Sequence, residues 1–129
     1  MLNLAMNVSR KEFDRIVMRS IRRIPEEIRD HLDNILVSVQ KRPSPELLEE
    51  LGIPTDETLF GIFQGTPLAE RSVMEPPLFP DTIFLFQEPL VEACESIAEL
   101  EEEIEITVVH ELAHFLGFSE EELAELGYS

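Results

Sequence analysis

Phe13, Ile16, Val17, Ile21 and Ile24 recur at intervals of three and four residues, which predicts a helix with one apolar face. Ser9-Arg10-Lys11-Glu12 has the form of a capping box and marks its start. Pro25 ends this helix or opens the next short turn. The apolar run at 35–39, bounded by Asn34 and by Pro43-Ser44-Pro45, predicts a strand. Residues 45–51 read as a short helix with proline in its first turn and Gly52 as its stop. A second strand is expected at 58–63 and a proline-bearing loop at 66–80. A third strand is expected at 82–86, apolar enough to be buried on both faces. Pro89 begins a helix reaching about Ala98, and a long helix follows from about Leu100 to Leu116. Gly117 ends it, and a last short helix begins at Ser119. Helices, then strands, then helices predict an α+β fold in one domain, 1–129.

Composition changes this picture little. A chain of 129 residues with 43% hydrophobic content can bury a modest core. Cys94 is the sole cysteine, which excludes an intrachain disulfide and a Cys-rich zinc finger. It reads as a small buried hydrophobe on a helix. A reduced thiol suits a cytoplasmic protein. The first residues lack a basic leader and a long apolar run, so no signal peptide is expected, and no stretch has the apolar length of a membrane span.

Charge is more informative. The formal net charge is −17, unevenly spread: residues 1–42 carry +3 and residues 43–129 carry −20. The acidic body would repel phosphates, which argues against nucleic-acid partners. It reads as a solvated surface that aids solubility, or as an attractor of cationic peptides or metal ions. Arg15, Arg19, Arg22 and Arg23 read as the wet face of the first helix.

Candidate chemistry lies in the long helix, at His110-Glu111-Leu112-Ala113-His114. Residues four apart share a helix face, so His110 and His114 project together. Two imidazoles at that spacing can bind one zinc ion. Glu111 lies about a quarter-turn away, where a carboxylate can reach a metal-bound water without ligating the metal. Ile104, Val108, Val109, Leu112, Ala113, Phe115 and Leu116 surround these residues, as expected of a helix buried on most sides. The bland alternative is two surface histidines on an ordinary helix.

A catalytic zinc ordinarily takes a third protein ligand. His31 falls in an expected surface turn. Downstream, the pattern extends through Gly117 to Glu120, and a left-handed Gly117 can swing Glu120 back toward the histidines. Glu121, or water alone, is the alternative. Ser119 with Glu122 also fits a capping box, a use of these acids that requires no metal.

With these residues in view, the chain resembles the small bacterial zincin-like metallopeptidases, or minimal zincins. The resemblance is carried by residues 61–72 (Gly61-Ile62-Phe63-Gln64-Gly65-Thr66-Pro67-Leu68-Ala69-Glu70-Arg71-Ser72), by residues 80–86 (Pro80-Asp81-Thr82-Ile83-Phe84-Leu85-Phe86), by His110 through Gly117, and by Leu123-Ala124-Glu125-Leu126-Gly127. The family pattern has Asp three residues after the glycine, where this chain has Glu120. Metzincin relatives have His there and a later Met turn. Here no methionine follows Gly117, and Met74 reads as a loop or core residue. Tyr128 reads as a packing residue, or as a group lining the site.

The resemblance implies a compact zincin-like domain, with a short mixed sheet against helices and a zinc-binding helix lining a shallow cleft. In it, 60–65 forms the sheet edge along which substrate backbone pairs. It implies a zinc-dependent peptidase: His110, His114 and Glu120 hold one zinc ion, and Glu111 is the general base. Peptide or protein substrates, cationic ones among them, would be the partners. The alternative is a non-catalytic metal- or partner-binding protein on the same scaffold, and a third reading is an interaction domain with an accidental motif.

Overall fold

The opening helix forms because its first-turn donors are satisfied locally. In the computed structural model, which describes residues 6–54, 58–65 and 80–128, α1 (Arg10–Arg23) begins where the Ser9 hydroxyl accepts from the Glu12 N–H at 3.1 Å. Ile24, extended ahead of Pro25, ends it. A short α2 (Glu26–Arg29) and a 3-10 turn (Asp30–Asn34) lead into β1 (Leu36–Gln40). Ser44 caps α3 (Pro45–Glu50), and Gly52, at φ +70°, turns the chain beyond it. β2 (Gly61–Gln64) and β3 (Thr82–Phe86) complete the sheet, and α4 (Gln87–Glu92), α5 (Ile97–Leu116) and α6 (Glu120–Glu125) follow.

The sheet is mixed, in the order β1-β3-β2. β3 is central, pairing parallel to β1 and antiparallel to β2. Burial on both faces of β3 follows from that position. The α+β expectation, with a short sheet against helices, holds. The core lies between α1, α5 and the sheet, one buried cluster that includes Phe13 and Ile16 of α1, Ile83 and Leu85 of β3, and Leu100, Ile104, Val108 and Leu112 of α5. Ser20 is a fully buried polar residue, and its hydroxyl donates to the Ile16 carbonyl at 2.8 Å. Cys94 is buried in this core, as expected, but it lies between α4 and α5 rather than on a helix. Arg19 and Arg23 do more than face water. They reach across to Glu101 and Glu105 of α5, at 3.6 and 3.0 Å.

Several boundaries differ from expectation: β1 runs one residue later than 35–39, and α4 begins at Gln87, ahead of Pro89. The long helix starts at Ile97, because the Ser96 hydroxyl accepts from the Glu99 N–H. Ala98 therefore belongs to α5, and α4 ends at Glu92. The second strand is shorter and later than 58–63. Its pairing begins where Phe60 accepts from the Phe86 N–H at 2.8 Å, so a long-range partner sets its start. The expected loop lies outside the described residues from 66 to 79, and Met74 with it. No described helix is long and apolar enough to cross a membrane.

Candidate functional site

α5 carries the site, and its end is closed by glycine. Gly117 adopts φ +78°, the Phe118 N–H donates to the Ala113 carbonyl at 2.9 Å, and the Gly117 N–H donates to that of His114. This is a Schellman closure, which a residue with a Cβ adopts at a cost. The last two turns hold His110, Glu111 and His114. His110 is half-buried, and its Nε2 is enclosed without a hydrogen-bond partner among the described residues. His114 is exposed.

Glu111 faces the edge of the sheet. Its Oε2 accepts from the Phe63 N–H of β2 at 3.1 Å. Since Phe60 is hydrogen-bonded to β3 through Phe86, antiparallel alternation turns the Phe63 peptide group outward, and the carboxylate meets it there. Burial holds the Glu111 carboxyl above its ordinary pKa, opposed by the Phe63 hydrogen bond and by the charges of His114 and His110. The ring of Phe63 stacks on Phe115, with centroids 4.6 Å apart. Gly61 permits this approach, because a Cβ there would lie 2.8 Å from both the Phe84 carbonyl oxygen and Thr107 Cγ2.

The remaining expected donors lie elsewhere. Ser119 caps α6 and exchanges hydrogen bonds with Glu122 in a complete capping box. Glu120 thereby occupies the first helical position of α6 and is exposed, as is Glu121. His31 is exposed on the 3-10 turn. Tyr128 is buried, with its hydroxyl donating to Glu105 at 2.6 Å. Among the described residues, no three His, Cys, Asp or Glu side chains gather into a group that could hold a metal ion.

This corrects the expectation of a bound zinc ion. His110 and His114 share a helix face, and the enclosed Nε2 of His110 has the character of a donor in want of a partner. Glu120 does not join them: it is exposed at the first helical position of α6, beyond the Ser119 cap. Two imidazoles fall short of the three protein ligands that a catalytic zinc ordinarily takes. The described residues do not fit a resident zinc.

A family model described as zincin-like metallopeptidase matches residues 32–128. The chain belongs to this family. Among solved structures it is similar to a conserved hypothetical protein from T. thermophilus, at 24% identity and a TM-score of 0.53, with 91% of this chain and 98% of that chain covered. That likeness bears on the fold alone. No curated protein matches the chain.

Sequence reasoning missed two contacts that join β2 to α5: Glu111 with the Phe63 N–H, and Phe63 with Phe115. Both are long-range and leave no local pattern. Gly61, a glycine within an apolar strand, was the available signal of close backbone approach.

Proposed function

We propose that this protein is a non-catalytic partner-binding module on a zincin-like scaffold. It takes an extended protein or peptide segment along the outer edge of β2, beside α5. The observation that carries this reading is the Glu111–Phe63 hydrogen bond. The carboxylate that hydrolysis would need for activating water is engaged with the backbone of the edge strand. It holds that strand against α5 with its remaining outward peptide groups available for an added strand. The charge of −20 over residues 43–129 favours basic segments.

Peptide-bond hydrolysis, with Glu111 as general base, is the second reading. Family membership supports it, as does the burial that raises the Glu111 pKa toward the range useful for proton transfer. One experiment separates the two. A displayed library of basic peptides is offered to wild type, Glu111→Gln and Glu111→Ala, and both capture and cleavage are scored. An amide oxygen still accepts from the Phe63 N–H, so Glu111→Gln should keep capture and Glu111→Ala should lose it. Cleavage by wild type that disappears in Glu111→Gln would overturn the binding reading.

A further inference from the structure

β1 forms the other edge of the sheet, and among the described residues no strand pairs with it on its outer side. Stable folds ordinarily blunt an edge strand with a charge, a proline, a bulge or a covering element, since a bare row of peptide groups recruits another strand. β1, with the sequence Leu36-Val37-Ser38-Val39-Gln40, contains neither charge nor proline. Leu36 is 56% exposed and Met18, on α1, is 55% exposed. Between α1 and β1 runs a groove of 520 Å³ lined by both, together with Val17, Ile21 and Val37. Arg10 and Asp14 also line it, and they pair with each other at 3.1 Å.

The pairing geometry identifies which groups are open. The Leu36 N–H donates to Asp81 beside β3 at 2.9 Å. Alternate residues of a strand present their peptide groups to the same side. Leu36, Ser38 and Gln40 therefore face β3, and the peptide groups of Val37 and Val39 face outward. A second β1, laid antiparallel about a two-fold axis at Ser38, opposes Val37 to Val39 and Leu36 to Gln40. Each opposed valine pair brings together two outward-facing residues, which is the hydrogen-bonded pairing. The strand is thus complementary to itself, as a two-fold interface requires. The groove's charges cancel within it, so a strongly cationic or acidic partner finds nothing to recognise there.

We propose that β1 is a homodimer interface. Two copies pair antiparallel through Val37 and Val39, merge their sheets into one, and bury Leu36 and Met18 at the joint. This goes beyond the partner-binding reading and does not rest on it.

Sedimentation velocity on the full chain, over a range of concentrations, tests the proposal. Wild type should form a dimer. Leu36→Lys places a charge on an exposed edge position, and Val37→Pro removes an outward N–H while leaving the bonds to β3. Each should raise the dissociation constant by about tenfold or more, with circular dichroism unchanged. Should Val37→Pro fail to fold, Leu36→Lys carries the test. In wild type, hydrogen exchange at the Val37 and Val39 amides should slow with concentration, while the Ser38 and Gln40 amides stay protected throughout. A wild type that remains monomeric, or a dimer unaffected by Leu36→Lys but dissociated by Ile62→Lys on β2, would overturn it.

Discussion

Tyr128 shows how a single side chain secures the end of the described chain. Its hydroxyl donates to Glu105, which also pairs with Arg23, so α1, α5 and the residues after α6 meet at one carboxylate. Burial first, then the hydrogen bond and charge of Glu105, hold the phenol well above its ordinary value of 10.0. A raised pKa contributes stability that is complete below that value and is lost as pH rises toward the folded one. Tyr128→Phe should therefore cost about 1–2 kcal/mol at pH 7, where the charged acceptor loses its donor. The gap to wild type should narrow above about pH 10, where wild type alone loses this contribution. Urea melts at pH 7 and pH 11 measure both, and a gap that widens at high pH would contradict the assignment. The sequence already placed His110 and His114 on one helical face with Glu111 about a quarter-turn away, and offered packing as one of two readings of Tyr128. The position of Glu120 was open in it, because Gly117 permits a reversal and the Ser119–Glu122 cap leaves Glu120 free. The cap forms between neighbours in sequence at small entropic cost, whereas bringing Glu120 to the histidines needs a longer reversal that no local signal specifies.

Two glycines separate the roles of the elements. At Gly61 the backbone is ordinary but the space is filled, by the Phe84 carbonyl and Thr107. Gly61→Ala should push β2 away from α5, costing about 1–3 kcal/mol, and should disrupt the Glu111–Phe63 hydrogen bond and peptide capture with it. At Gly117 the space is open but φ is +78°. Gly117→Ala should cost about 1–2 kcal/mol through the backbone alone and leave capture nearly intact. Thermal melts and peptide binding on the two variants would show the contrast, and equal losses of binding would refute it. The same distinction explains which elements the sequence revealed. α1, α3, α5 and α6 are bounded by serine caps or glycine stops, signals written within a few residues. Ser96 with Glu99 is such a signal too, and it starts α5 earlier than the apolar spacing from Leu100 alone suggests. β2 is bounded by its pairing to β3, about twenty residues away in sequence, and no local pattern records that.

Charge belongs to the molecule as a whole and acts differently on its two sheet edges. Each copy carries −17, concentrated in residues 43–129. Two copies joined at β1 bring like charges together, although the seam itself is uncharged and its flanking Arg10 and Asp14 neutralise each other. The screening length falls from about 30 Å at 0.01 M salt to about 8 Å at 0.15 M. Dimerisation should therefore strengthen with salt, its dissociation constant falling by about tenfold over that range. A basic peptide at the β2 edge should show the opposite trend, since its attraction to the acidic body is screened by the same ions. Sedimentation and peptide titration on one preparation at both salt concentrations test the pair of trends. Dimerisation that weakens with salt would require ion pairs across the seam, which a strand of Leu, Val, Ser, Val and Gln does not supply. Peptide binding that is indifferent to salt would place its affinity in the apolar surface of Phe63 and Phe115, with the acidic body serving solubility alone.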